Sequence, residues 1–185
     1  MKNKIVFATT NPGKIAEAAE ILKIEIVPSG LEVSEIQSMD PEKVALQKAT
    51  DYFAQLKTPL LIEDVSLTFN SLNGLPGPYI NDFSKVLGND SLIKLIKDDD
   101  RTATAMTTLV YCDKSGTPFV FQGIINGTIS TEERGTNGFG WDPIFIPDGT
   151  SKTFAEMDES EKNSLSMRKI ALLKFKAWLD KTQQC

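Results

Sequence analysis

Two adjacent carboxylates, Glu63-Asp64, close the apolar run Pro59-Leu60-Leu61-Ile62. Their position asks for an explanation. A continuous apolar run reads as a strand buried on both faces. An acid at its end has either reached water or is paired or metal-bound, because a buried carboxylate is otherwise costly. Ligand sites of open α/β sheets lie at the carboxyl ends of strands, so the pair is a candidate Mg2+ or general-base site. A second candidate is Thr9-Thr10-Asn11-Pro12-Gly13-Lys14, a polar turn between the apolar run Ile5-Val6-Phe7-Ala8 and a helical pattern beginning near Ile15. The first amides of a helix lack partners and its dipole favours anions there, so such a turn can receive a phosphate, with Lys14 adding charge. The spacing is not that of a Walker A loop, and an Asn-Pro-Gly turn also serves simply to reverse the chain.

Further residues join these by type and place. Lys48 lies beside the apolar stripe of a helix following Asp40-Pro41, either reaching toward a site or solvated. In Gly138-Phe139-Gly140-Trp141-Asp142-Pro143, a strand would put Phe139 and Trp141 on one face and Gly140 and Asp142 on the other, with Pro143 holding Asp142 extended. Two aromatics with glycines that admit a ligand suit stacking on a planar base, although strand aromatics also serve as core. Arg168 begins the last helix, where a cation opposes the dipole and needs an anionic or carbonyl-bearing partner unless it is an ordinary surface arginine.

The elements that carry these residues begin with a strand, helix and strand, the last being Ile24 to Pro28. An irregular acidic stretch with Glu32, Glu35 and Asp40 follows. Asp40 then caps a helix with Pro41 at its first position and Val44, Ala45, Ala49, Tyr52, Phe53 and Leu56 as its apolar stripe. The glycines and prolines of Leu72 to Tyr79 predict a stiff, irregular loop. Asn89-Asp90 reads as the cap of a short helix that Asp98-Asp99-Asp100 ends in water, and Asp113-Lys114-Ser115-Gly116 as a hairpin turn between Ala105–Cys112 and Pro118–Ile129. The final helix turns Ala171, Leu172, Phe175, Trp178 and Leu179 inward.

Composition narrows the chemistry. No histidine occurs in the chain, which removes nucleophiles relying on an imidazole base and metal sites with imidazole ligands. What remains is carboxylates, lysines, arginines and hard metal ions. With 20 basic against 25 acidic residues and no basic run, no nucleic acid polymer is expected as partner. Cys112 and Cys185 read as reduced thiols, and the N-terminal apolar run is too short for a signal peptide or a membrane span, so a cytoplasmic protein is expected. A chain of 185 residues, 41% hydrophobic, has enough core for a single domain over 1–185.

The segments "ATTNPGK", "EDVSLTFNSLNGLPGPY", "GFGWDPIF" and "FAEMDESEKNSLSMR" occur in an order and spacing that resemble the inosine triphosphate pyrophosphatase family, across nearly the whole chain. The resemblance implies an α/β fold with a mixed central sheet flanked by helices, two lobes with a nucleotide cleft between them, and a homodimer. It implies Mg2+-dependent cleavage of non-canonical purine nucleoside triphosphates (ITP, dITP, XTP) between the α- and β-phosphates, with Mn2+ as the expected substitute metal. By the same resemblance Thr9, Asn11 and Lys14 hold the triphosphate, with Lys48 and Lys162 as further phosphate or cleft lysines. Glu35, Glu63 and Asp64 form the metal site, and Asp64 orients or deprotonates the water. Phe139, Gly140, Trp141, Asp142, Ser166 and Arg168 enclose and read the base.

One position departs from the pattern: the family carries Ser-His-Arg where this chain has Ser166-Met167-Arg168. Methionine donates no conventional hydrogen bond, so weaker selectivity or a shifted base preference is expected. The competing readings are a pyrophosphatase for other modified nucleotides, as in the related septum-formation-inhibitor Maf family whose serine-rich motif is not present here, and a nucleotide-binding protein with weakened catalysis.

Overall fold

The computed structural model describes residues 4–96 and 100–182, which leaves the expectations for Cys185 and for Asp98-Asp99 outside the described residues. Local chemistry starts the elements where the sequence indicates. Strand β1 is Lys4–Phe7, and helix α1, Pro12–Leu22, is capped by Asn11 with Pro12 at its first position. Strand β2, Glu25–Pro28, is followed by an irregular segment and helix α2, Pro41–Leu56, capped by Asp40. Strand β3, Leu60–Phe69, is followed by the two-residue strand β4, Pro76–Gly77, and by helices α3, Ile80–Leu87, and α4, Asn89–Leu95. Strands β5, Thr102–Cys112, and β6, Pro118–Ile129, flank the expected turn, in which Asp113 Oδ1 accepts from the amides of Ser115 and Thr117. Strand β7, Phe145–Pro147, and helices α5, Glu159–Leu165, and α6, Met167–Thr182, complete the chain.

The strands form a mixed sheet in the order β2-β1-β3-β5-β6-β7, with β4 paired to β3. β1 is parallel to both β2 and β3, whereas β3–β4 and β6–β7 are antiparallel. The chain groups into two compact units. The first contains the chain up to Asp64, Thr107–Gly123 and everything from Arg168 onward. Its β3 segment is apolar on both faces. Leu60 and Ile62 pack with Ala45, Ala49 and Tyr52 of α2, while Leu61 packs with Ala18 and Leu22 of α1 and Leu172 and Phe175 of α6. The second unit, Val65–Met106 with Ile124–Met167, has its own core of Leu67, Phe69, Ile80, Leu92, Trp141, Phe145, Phe154 and Met167 among others.

Three local expectations are corrected. β3 does not end at Glu63-Asp64 but continues to Phe69, because the charge of Glu63 is neutralised in place, as described below. Gly138–Pro143 is not a strand: Gly138 and Gly140 have φ of 76° and 63°, and Asp142–Ile144 is a single 3-10 turn, so Asp142 is not extended. Left-handed glycines break the alternation on which a shared aromatic face depends. Asn89 is the first residue of α4 and not its cap; its Oδ1 accepts from Ser84 Oγ at 3.2 Å and its Nδ2 donates to the Gly140 carbonyl at 2.8 Å.

Candidate active site

Alternation along β3 decides what each acid does. Successive side chains of a strand point to opposite faces, so Glu63 shares the face of Leu61, toward α1 and α6, and Asp64 shares the face of Ile62, toward α2.

On the Glu63 face, Lys14 Nζ lies 2.9 Å from Glu63 Oε1. Arg168, at the start of α6, closes a two-pronged bond: Nε donates to Glu63 Oε2 at 2.7 Å and Nη2 to Oε1 at 2.9 Å. Its remaining prong, Nη1, donates to Glu17 Oε2 at 3.0 Å. All three of Glu17, Glu63 and Arg168 are buried. Burial alone would raise the carboxyl of Glu63, but the charges of Arg168 and Lys14 outweigh it and bring its pKa down to about 2. Burial acts on Arg168 in the disfavouring sense, and Glu63 overcomes it, raising the guanidinium above its already high value. The guanidinium expected at a base is thus engaged by two carboxylates, which also supplies the anionic partner that a cation at a helix N-terminus requires. Sequence reasoning missed Glu17. An acid three residues after Lys14, next to Ala18 on the buried arc of α1, was its available signal.

Asp64 has a different environment. Burial raises its pKa to about 6; Lys48 opposes the rise in part, and Glu35 adds to it. Its Oδ2 is buried without a hydrogen-bond partner, and its Oδ1 lies 3.8 Å from Lys48 Nζ, beyond a hydrogen bond. Lys48 in turn contacts Glu35 Oε1, bringing the irregular segment before α2 to the same place. A carboxylate that is nearly neutral-poised beside one held ionised is the arrangement that separates a base from a fixed charge.

The opening turn is built differently from its expected form. Asn11 Oδ1 accepts from the amides of Gly13 and Lys14, at 3.0 and 3.3 Å, and Thr9 Oγ1 accepts from the amide of Asn11 at 3.2 Å. Those three backbone donors are bonded within the turn, and Lys14 adds an ammonium to what it presents.

In the second unit, Asp142 Oδ2 accepts from Lys162 Nζ at 2.5 Å and from the Phe139 amide at 2.7 Å. Gly138 makes room for it: a Cβ there would stand 2.1 Å from that oxygen. Lys162 lies over the Phe139 ring, 4.7 Å from its centroid, and 5.5 Å from that of Phe154. Phe139 is exposed and Gly140 open, while Trp141 is buried edge-on against Phe145, 5.5 Å between centroids. Ser166, between α5 and α6, and Met167 are buried, the latter in the apolar core of this unit. The structure therefore gathers Lys14, Lys48, Glu35, Glu63, Asp64 and Arg168 in the first unit, and Phe139, Asp142 and Lys162 in the second.

The acids expected at a metal differ in what they have left to offer one. Both oxygens of Glu63 are occupied by cations, and among the described residues no cluster of three or more acids, cysteines or histidines is arranged around one point. Asp64, with an orphaned buried oxygen, and Glu35 remain. Mg2+ is commonly held by one or two carboxylates together with water and substrate phosphates, and these two are the acids that fit such a donor set.

Residues 5–178 match the sequence profile of the Ham1 family. The chain belongs to the Ham1 family. Relatives of this Ham1 protein include a dITP/XTP pyrophosphatase of Methanosarcina acetivorans, 40% identical over 95% of this chain and 97% of its own. An inosine triphosphate pyrophosphatase of Aspergillus fumigatus is 43% identical over 96% and 95% of the two chains. Among solved structures, a HAM1 protein from Coxiella burnetii superposes with a TM-score of 0.86 at 29% identity, covering 96% of this chain and 98% of that one. The Ham1 protein of Staphylococcus aureus gives 0.85 at 28% identity over 97% and 100%.

Proposed function

We infer that this Ham1 protein hydrolyses non-canonical purine nucleoside triphosphates, ITP, dITP and XTP, to the monophosphate and pyrophosphate, and thereby cleans the nucleotide pool. The observation that carries the reading is the split acid pair. Glu63 is held ionised at about 2 while its neighbour Asp64 is raised to about 6, and each faces a lysine. Full-length similarity to dITP/XTP and inosine triphosphate pyrophosphatases supports the substrate class.

In this reading Asp64 orients the attacking water and takes its proton, at a pKa suited to neutral pH. Lys14 and Lys48 bind the phosphates and offset charge on the pyrophosphate leaving group. Glu63 holds Lys14 in place and Arg168 fixes Glu63. Mg2+, with Mn2+ as substitute, would be held by Asp64 and Glu35, and when bound it screens the triphosphate and activates water. Phe139, backed by Lys162 and Asp142, offers the base a ring. A cytoplasmic location and a homodimer belong to the same reading. No helix among the described residues is long and apolar enough to cross a membrane.

The test is pyrophosphate release from ITP, dITP, XTP, dUTP and the common triphosphates with and without Mg2+. We expect release from the first three that requires the metal and falls by about a thousandfold in Asp64→Asn. No release from any of the three refutes the assignment.

A second reading concerns the base. Met167 is buried among apolar side chains and presents no donor, which favours selectivity against ATP and GTP that is weaker than an imidazole donor would allow. Release of pyrophosphate from ITP many times faster than from ATP or GTP would overturn it.

A further inference from the structure

Lys48 is assigned above to the triphosphate, yet its ammonium is already engaged. It contacts Glu35 Oε1 and stands 3.8 Å from Asp64 Oδ1, so one cation serves the two carboxylates that fit a divalent ion. Building on the proposed function, we propose that Lys48 is an internal counter-ion that a divalent metal displaces from Glu35 and Asp64, so that metal binding releases this lysine toward the substrate.

The neutralisation that Lys48 provides is incomplete. At 3.8 Å it makes no hydrogen bond with Asp64, and Asp64 Oδ2 is buried with no partner at all. A divalent ion bonded directly to these oxygens answers that demand better than an ammonium at a distance. The two cations compete for the same carboxylates. Mg2+ draws oxygen ligands to about 2.0–2.1 Å and takes lone pairs that Lys48 otherwise shares, and like charges about 4 Å apart repel strongly in a partly dry site.

Displacement needs little rearrangement of the backbone. Ala45 and Ala49 of α2 pack on Leu60 and Ile62 of β3, which anchors the helix on either side of Lys48. The lysine can therefore leave by rotating its own long side chain. The Glu35 side chain is 52% exposed and extends from an irregular segment, so it too is able to turn toward an ion beside Asp64. The other lysine of the site does not substitute for Lys48, since Lys14 is bound to Glu63 at 2.9 Å. The consequence is an order of events: the metal enters first, and the freed ammonium is then available to a phosphate, which couples substrate affinity to metal occupancy.

The experiment uses the full chain without nucleotide. Mn2+ binding is followed by electron paramagnetic resonance in the unaltered protein and in Lys48→Gln. We expect at least about fivefold tighter binding in the variant, the scale of removing a competing unit charge from a partly exposed site. The second measurement is made on the unaltered protein: the ε-methylene resonance of Lys48, assigned by its loss in the conservative variant Lys48→Arg, is followed during titration with Mg2+. We expect it to shift with the midpoint of metal binding. Mn2+ binding that is unchanged or weaker in Lys48→Gln overturns the proposal, as does a Lys48 resonance that stays fixed at saturating Mg2+. Neither measurement involves turnover, so a failure here is distinct from a failure to release pyrophosphate.

Discussion

Arg168→Met tests whether the guanidinium is a support within the first unit. The substitution retains a long side chain but removes both prongs to Glu63 and the bond to Glu17, leaving Lys14 as the cation at Glu63. Lowering the Glu63 pKa from 4.5 to about 2 contributes about 3 kcal/mol to the folded state. Breaking a buried pair from one side costs about 3–5 kcal/mol, because the remaining charge is left uncompensated. The two figures agree in scale, and we expect a loss of about 3–5 kcal/mol in urea unfolding at pH 7.5. The sign of the pH dependence makes the test specific. With Arg168 present, the folded pKa lies below the unfolded one, so the stabilisation is complete above 4.5 and fades as pH falls toward about 2. Without Arg168, only Lys14 opposes the effect of burial, so the folded pKa rises and the variant loses stabilisation at neutral pH that protonation of Glu63 relieves. The gap between the two proteins should therefore narrow as pH falls from the variant's higher value toward about 2, and Glu63→Gln in the Arg168→Met background should recover part of the loss. A cost below about 1 kcal/mol, or a gap that does not change with pH, would refute the reasoning.

The remaining predictions concern the reacting acid and the aromatic pair. Because burial places Asp64 at about 6, kcat/KM for pyrophosphate release should rise as pH climbs through about 6 and level off above it. Raising Mg2+ should move that limb to lower pH, and a limb near 4 that ignores Mg2+ would count against Asp64 as the base. Trp141→Ala should lower stability by about 3–5 kcal/mol, since its ring is packed on Phe145 and Phe154. Phe139→Ala, at an exposed ring, should cost under about 1 kcal/mol and instead raise KM. Thermal unfolding and initial rates on the two variants check this, and equal effects would contradict the division.

What the sequence made legible was set by residues with strong local preferences. Asn11-Pro12 and Asp40-Pro41 announce helix starts that the structure has at those residues, and Asp113 to Gly116 turns the chain as its composition indicates. Misreadings arose where a local rule met a longer-range one. Gly138 and Gly140 would open a strand to a ligand, but their left-handed backbone makes a turn that aims Asp142 back at the Phe139 amide. Helix α3 carries Ile80, Phe83 and Leu87 at helical spacing, but it follows a loop rich in proline and glycine and has no side-chain cap to mark its start. The role of Arg168 was out of reach for a different reason: its partners lie 105 and 151 residues away, and nothing local encodes such a pairing.

The acid pair shows most directly how a fold assigns chemistry. Read as letters, Glu63 and Asp64 are interchangeable neighbours at the edge of an apolar run. Placed within β3, they are separated by the strand itself, because consecutive side chains leave by opposite faces. One face meets α1 and α6, which bring Lys14 and Arg168 to Glu63, and these bonds fill both of its oxygens. The other meets α2, whose Lys48 stays at 3.8 Å and leaves one oxygen of Asp64 unpartnered. A glutamate saturated with hydrogen bonds has little left to give a substrate, so its contribution is to hold Lys14. An aspartate with an unsatisfied oxygen and a raised pKa retains the capacity to bind an ion or accept a proton. Shifting the strand by one residue would exchange the two environments, so the register of β3 against β1, Val6 with Leu60 and Phe7 with Leu61, determines which acid is available for reaction.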